Sequence, residues 1–436
     1  MRLNLITAIT LLTLSAQSDA ADLLDYYREA QTQDPAYSSA RFAFKAAQER
    51  IPQAEAGGNT QVSLGASAAR NYGTRDLGGT VNYNTYGYSL SLAKPLYRPQ
   101  VAIQVEQAKL GVNQADAQLK LAEIDLIQRV AQAYFDVLLA QDNVALSGAQ
   151  KKAISEQLAQ AKRNFEVGTA TVVDSQEAQA RYDLSVAKEI ADLNDLENRR
   201  RILAQIIGKM PDSVATLKEQ IVLPLPQPNN MQDWVDTSEK QNLQITIQRA
   251  AAEIAKRETE RVRSGYKPTV DLVGSYSDSN NSLGSALTGG NNNKNTALGV
   301  QLAIPLWTGG LLQSQVRQSL ANEEKTRFDI ENTRRTVAQQ AQQAFLGVTS
   351  GVAQVKALEQ SLASSELALK STRLGQEVGV RTGVDVLNAQ QQVFQTRRDL
   401  FSARYSVILN QLRLKQASGV LGEADLAEVN KNLVIK

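Results

Sequence analysis

The sequence predicts an α+β membrane protein built from two tandem repeats, with very long helices and four short strands per chain. Three observations carry that reading. A segment of the first half recurs in the second, long stretches run without helix breakers, and four short segments alternate apolar and polar residues with a period of two.

The duplication is plain along the chain. Glu166-Val167-Gly168 recurs as Glu377-Val378-Gly379, Thr171 as Thr382, Asp174 as Asp385 and Gly208 as Gly419, each 211 positions on. The same offset carries Gln132-Ala133-Tyr134 onto Gln343-Ala344-Phe345, and an offset of 210 carries Pro95-Leu96-Tyr97 onto Pro305-Leu306-Trp307. Residues 21–222 are therefore a first structural repeat and 235–436 a second. The Pro-rich stretch 223–234 between them reads as an extended linker.

Residues 1–20 stand apart from the repeats. Arg2, the apolar run Leu3 to Leu14 and the small residues of Ser18-Asp19-Ala20 read as a secretory signal peptide cleaved before Ala21. No run elsewhere approaches the roughly 18 apolar residues of a membrane-spanning helix.

The helices follow from spacing and breakers. Between Leu96 and Phe165 the only proline is Pro99, and Ile124, Ile127, Val130, Tyr134, Val137, Leu138 and Ala145 recur at three- and four-residue steps on one stripe. Some 70 residues at about 1.5 Å each would reach roughly 100 Å. The second repeat carries the same pattern from Thr308 to Gln376, with Gln339, Ala341, Ala344, Phe345 and Val348 on the matching stripe. Shorter helices, Asp174 to Ile207 and Asp385 to Ser418, would fold back against these as hairpins, with the aspartates as N-caps and Gly208 and Gly419 as C-cap glycines. Two further helices are expected over about Asp22–Arg50, breaking at Asp34-Pro35, and Gln241–Arg263. Ala and Gln along the stripes suit the close packing of a coiled-coil wall.

The strands are expected over about 60–71, 83–94, 268–278 and 296–305. Val62, Leu64, Ala66 and Ala68 alternate with Gln61, Ser63, Gly65 and Ser67, and the other three segments repeat the scheme. Aromatics stand near their ends at Tyr72, Tyr83, Tyr97, Tyr276 and Trp307, as in strands of a membrane barrel. The connections, about 73–82 and 279–295, are Gly- and Asn-rich. Four strands cannot close on themselves, and open edges are not tolerated in lipid, so several copies must share one barrel.

Composition excludes most other classes. With 47 Lys plus Arg against 45 Asp plus Glu, the net charge of +2 argues against nucleic acid as a partner. Histidine and cysteine are both absent, which removes the usual metal ligands, the thiol nucleophile and the commonest general base. No catalytic site, cofactor or metal is expected.

Together these features resemble the TolC family of outer-membrane efflux and secretion channels. The match is most specific at Val378-Gly379-Val380-Arg381-Thr382-Gly383-Val384-Asp385-Val386-Leu387-Asn388-Ala389, similar to the family's segment at the periplasmic tip of the channel. The resemblance implies a homotrimer whose twelve strands form one barrel in the outer membrane, continued by an α-helical tunnel across the periplasm. It implies two partners, a periplasmic adaptor and an inner-membrane transporter, and a duct serving efflux or type I protein secretion. It also assigns roles at the tip: Asp385 faces the pore as a ring that selects cations, and Asp174 and Arg381 form links that hold neighbouring helices shut. Where the family places a second aspartate this chain has Asn388, so one of two charge rings would be neutral. The alternative from a different class is a periplasmic coiled-coil structural or adaptor protein, which has no need of the paired alternating strands.

Overall fold

The computed structural model describes residues 22–75, 79–211, 214–218, 221–282 and 291–434. The expected leader and the centres of the two strand connections lie outside the described residues. In chain order the elements are α1 (Leu23–Gln33), α2 (Pro35–Gln48), α3 (Arg50–Ala56), β1 (Gln61–Arg75), β2 (Gly79–Tyr97), α4 (Pro99–Glu166), α5 (Val172–Ile207), β3 (Thr216–Leu217) and α6 (Met231–Gln241). Then follow α7 (Leu243–Arg263), β4 (Thr269–Asn281), β5 (Asn291–Ala303), α8 (Leu311–Glu377), α9 (Gly383–Ala417), α10 (Glu423–Asn430) and β6 (Leu433–Val434). No described helix is long and apolar enough to cross a membrane.

The chain forms two compact units, and each draws on both sequence repeats. One comprises Ser39–Ala122 and Gln241–Val337 and contains the main sheet; the other comprises the N-terminal residues to Ser38, Glu123–Lys240 and Ala338 onward.

In the first of these units β1, β2, β4 and β5 make an antiparallel sheet in the order β1-β2-β4-β5. Residues directly opposite across a ladder share a face, so the register decides whether the four alternating patterns agree. Val62 stands opposite Leu92, Leu92 opposite Gly274 and Gly274 opposite Leu298. Leu64, Leu90 and Tyr276 form the next row, and Leu272 with Val300 and Val270 with Leu302 the rows on the other side. All four apolar sets therefore lie on one face. The opposite face carries Ser63, Ser89, Ser91, Ser275, Ser277, Ala297, Gly299 and Gln301.

The apolar face is uncovered among the described residues, with Leu64 73% and Leu298 77% exposed, which no soluble sheet packed on helices would show. The band also runs obliquely. From the level of Val62 it extends one way along β1 and β2, to Ala68 and Tyr86, and the other way along β4 and β5, to Val270 and Leu302. A belt that is level in a membrane must cross tilted barrel strands in this manner.

The strands outrun the expected segments, because Thr, Asn and Gly residues of the supposed connections continue the ladders, as in Tyr72↔Asn82 and Asn280↔Asn292. Tyr72, Tyr86, Tyr88 and Tyr276 fall on the apolar face, whereas Tyr83, opposite Asn71, falls on the other. Pro95, which has no N–H to give a ladder, sits where the β2–β4 register shifts between Pro95 and Tyr97. At the same end Arg98 grips Asp271 with both prongs, at 2.9 and 2.7 Å. Gly87 is obligatory: a Cβ there would come within 2.7 Å of the Asp278 carbonyl oxygen.

The second unit is helical apart from a two-residue antiparallel pairing of β3 with β6. The long helices are continuous, 68 residues in α4 and 67 in α8. Phe345, Val348, Val352 and Val355 of α8 meet Leu400, Ala403, Val407 and Leu414 of α9 and Trp234 of α6 in one buried cluster. Steps of three and four on both helices are the spacing of a coiled-coil seam. On α4 the stripe is buried from Ile124 through Leu138, but Ala145 faces solvent and Leu146 takes the buried place. On α8 Gln339 is likewise exposed and Val337 buried. An aromatic chain, Tyr26–Tyr134–Phe135–Tyr405, ties α1 and α9 to α4 with centroid separations of 5.9, 5.5 and 5.7 Å. Its hydroxyls are satisfied, Tyr134 donating to Ala215 O at 2.9 Å and Tyr405 to Asp142 Oδ2 at 2.6 Å.

The break at Asp34-Pro35 is present, and Asp34 caps α2 by accepting from Tyr37 N at 2.6 Å. Its carboxylate, almost fully buried, is held by both prongs of Arg129 at 2.9 and 3.0 Å. Burial pushes the Asp34 pKa up more than any single contact lowers it, but the Arg129 hydrogen bond, the Tyr37 amide and the Arg129 charge together outweigh it and hold the carboxyl below its usual range. The linker expected over 223–234 is non-helical only to Asn230. Met231–Gln241 is a helix, begun where the Asn230 carbonyl Oδ1 accepts from Gln232 N at 3.1 Å.

Candidate pore mouth at the hairpin tips

The sequence's sharpest local pattern maps onto the turns α4–α5 and α8–α9, both in the helical unit. Each turn needs a glycine in the left-handed region, Gly168 at φ 76° and Gly379 at φ 81°. The chain then extends through Thr171 and Thr382, and α5 and α9 begin.

The aspartates are not the N-caps that the sequence reading expected. Thr171 and Thr382 are, because they hold the extended conformation that turns the chain into the helix, and Asp174 and Asp385 sit at the third helical position of a reciprocal capping box. The Thr382 hydroxyl accepts from Asp385 N at 3.2 Å, and Asp385 Oδ2 accepts from Thr382 N at 2.9 Å and from its hydroxyl at 3.0 Å. Asp174 repeats this with Thr171 at 3.0 and 2.7 Å. The Thr382 backbone and hydroxyl bonds, with Arg381 adding its charge, hold the Asp385 carboxyl below the usual carboxylate range. It is an anion over the whole physiological range.

A cleft of about 310 Å³ lies between the two tips, lined among others by Asn164, Thr169, Asp174, Arg381, Thr382 and Leu387. Asp174 and Arg381 thus share a cleft, but within the protomer no hydrogen bond or ion pair joins them. The tips also expose valines: Val167, Val172, Val173, Val378 and Val380 are all more than half exposed.

One residue of the site was missed by sequence reasoning. Arg181 of α5 reaches α9, where its Nη2 donates to Asn388 Oδ1 at 3.0 Å and its Nη1 to Gln391 Oε1 at 2.5 Å. Glu177, one turn back on α5, stands 3.5 Å from the same guanidinium. The helices are brought together there by Ala178, Leu387, Ile154 and Leu158, which form a small buried cluster.

Comparison with known proteins agrees with this geometry. Residues 26–209 and 234–420 match the outer membrane efflux protein family, one match to each repeat. Outer membrane protein TolC of Vibrio cholerae is 31% identical over 434 residues, covering 99% of this chain and 98% of that protein. Proteases secretion protein PrtF of Dickeya chrysanthemi is 29% identical, covering 98% and 95%. Among solved structures, the Campylobacter jejuni CmeC outer membrane channel superimposes with a TM-score of 0.76 over 99% of this chain and 98% of that one, at 15% identity. With the family matched across both repeats and both hairpin tips built alike, the chain belongs to the outer membrane efflux proteins.

Proposed function

We propose that the protein is a passive export duct of the outer membrane, a homotrimer that extends into the periplasm and is opened when a periplasmic adaptor and an inner-membrane transporter dock on it. The single observation that carries this reading is the sheet. One face is an apolar belt suited to lipid, the other is a lining of serine, glycine, alanine and amide side chains, and its edges β1 and β5 are unpaired among the described residues. Because every ladder is antiparallel, β5 of one copy runs antiparallel to β1 of the next, so copies join into a closed barrel without a mismatch. Two copies would give eight strands, an interior filled by side chains; three give twelve, the smallest closed assembly with an open lumen.

The duct holds no catalytic site and is not an enzyme. Small hydroxyl and amide side chains recognise no particular cargo, which leaves selection to the inner-membrane partner. PrtF is by name a secretion protein for proteases, and a hydroxyl-lined passage suits an unfolded polypeptide as well as a small molecule. The exposed tip valines offer an apolar surface for the adaptor. A periplasmic adaptor that never enters a membrane would leave the belt of Leu64, Leu90 and Leu298 without purpose.

At the inner mouth three Asp385 carboxylates around the threefold axis form a ring that concentrates cations and gives a multivalent cation a shared site. Arg381 of one protomer, facing Asp174 of its neighbour, closes the mouth. Such exposed links are worth about 0.2 to 1 kcal/mol each and act in threes. Recording single channels in planar bilayers tests the reading: Arg381→Ala raises conductance with the trimer intact, and Asp385→Ala abolishes block by a trivalent cation added on the tip side. Unchanged conductance and unchanged block in the two variants would refute these roles.

A further inference from the structure

The contact of Arg181 with α9 points to a second device at the pore mouth. In each protomer the seam between α5 and α9 has two polar ties of unequal strength. Farther from the tip, Asp192 of α5 is almost fully buried between Lys188 at 2.8 Å and Arg398 of α9 at 3.3 Å. Lys188 stays with Asp192 on its own helix, but opening the seam would break the buried link to Arg398, the costlier kind of ion pair to break, so this tie resists separation. Nearer the tip, about 16 Å along the helix, Arg181 spans Asn388 and Gln391, both neutral and both at the surface. Its loss strands nothing, since water can replace either amide. The seam is thus firm at Asp192 and releasable at Arg181.

The same contact bears on charge. Asn388 lies one helical turn from Asp385, at the level where a second carboxylate ring would stand. Its side-chain oxygen is already occupied by a guanidinium, the group best shaped to take a carboxylate with two prongs. The charged groups facing this position are Arg181 and Glu177 from α5 and Asp385 on α9 itself.

We propose that Arg181 is a gating and charge-setting residue of the pore mouth: it latches α5 to α9 at the releasable end of the seam, and it neutralises any carboxylate placed at position 388. A negative charge there would form an ion pair across the seam instead of a second selective ring. The inference rests on Asp385 facing the pore, as proposed above.

The test uses the full-length trimer in planar bilayers, with hexaamminecobalt(III) as the blocking cation. Arg181→Ala raises the open fraction about tenfold, the equivalent of three weakened latches. Asn388→Asp alone leaves the blocking concentration within about twofold of wild type, whereas Asn388→Asp combined with Arg181→Ala lowers it about tenfold or more, because the carboxylates are then free to act as a ring. If Asn388→Asp alone tightens block as far as the double variant does, or if Arg181→Ala gates as wild type, the proposal is overturned. Asp385→Ala separates this from the underlying reading. Block lost in that variant while the Arg181 variants behave as wild type sinks the latch alone; block retained sinks the pore-facing ring, and a wild-type open fraction in Arg181→Ala then sinks the latch as well.

Discussion

Placing an arginine at residue 90 and, separately, at residue 89 asks whether the two faces of the sheet meet lipid and water. Leu90 stands in the row Leu64–Leu90–Tyr276, with the row of Val62, Leu92, Gly274 and Leu298 on one side and that of Ala66, Tyr88, Asp278 and Lys294 on the other. Successive rows on one face are about 6.8 Å apart; along β1 and β2, where the oblique belt runs from Val62 to Ala68 and from Leu92 to Tyr86, Leu90 has apolar residues on each side, and Asp278 and Lys294 mark the belt's edge on β4 and β5. A charge carried outward near mid-membrane costs about 2 to 4 kcal/mol, which is roughly 30- to 1,000-fold in the folding equilibrium. Ser89 faces the other way, opposite Gly65 and Ser277, where an arginine would extend into a hydrated lumen at little cost. Reversible urea unfolding of the two variants from phospholipid vesicles measures the difference. Arg70 gives a natural comparison: it occupies the apolar face two residues beyond Ala68, at the outer end of the belt, and lies over the Tyr72 ring at 5.4 Å. Equal destabilisation by Leu90→Arg and Ser89→Arg, or a larger effect at Ser89, would refute the assignment of faces.

Three further outcomes follow from the helical unit. Arg129→Ala leaves the buried Asp34 carboxylate unpaired and lowers stability by about 3 kcal/mol; adding Asp34→Asn recovers part of that loss in thermal melting, and no recovery would mean that the ion pair itself matters little. Because the Asp34 pKa is depressed, its contribution is present above the unfolded carboxylate value near 3.9 and is lost as pH falls through the folded value, so the melting difference between wild type and Arg129→Ala narrows in acid. At the pore mouth, Thr382→Ala removes the hydroxyl that helps to hold Asp385 ionised; block by a trivalent cation is then lost at a higher pH than in wild type, and coincident pH profiles would contradict the role of the capping box.

Much of this architecture was legible in the sequence, and the failures have physical reasons. The faces of the four strands could be read from alternation because each strand meets two different media, so Val62 and Ser63 carry opposite labels. The ends of the strands could not, because Asn82 and Asn292 pair in the ladder beyond the belt, where both faces are polar and alternation vanishes. Asp174 and Asp385 read as caps on the turn glycines before them, yet Thr171 and Thr382 stand three residues earlier, at the spacing of a capping box. Helix α6 also left a signal behind the prolines: Asn230 as a cap, then Met231, Trp234, Val235 and Ser238 at helical spacing. Arg181 left none. Its partners lie 207 and 210 residues away, and a lone arginine on a polar helix face looks like any solvated one. The link between Asp174 and Arg381 came only with the family resemblance, since as proposed it crosses between protomers and no pattern within one chain records it.

Whether three chains share one barrel is decided by the mass of the protein extracted from outer membranes in mild detergent. Light scattering corrected for bound detergent should give three protomers per particle, because three is the smallest number whose four-stranded sheets enclose an open lumen. A monomer that is stable in the membrane, or a dimer, would rule out the shared barrel, since neither could pair every strand edge around a conducting pore.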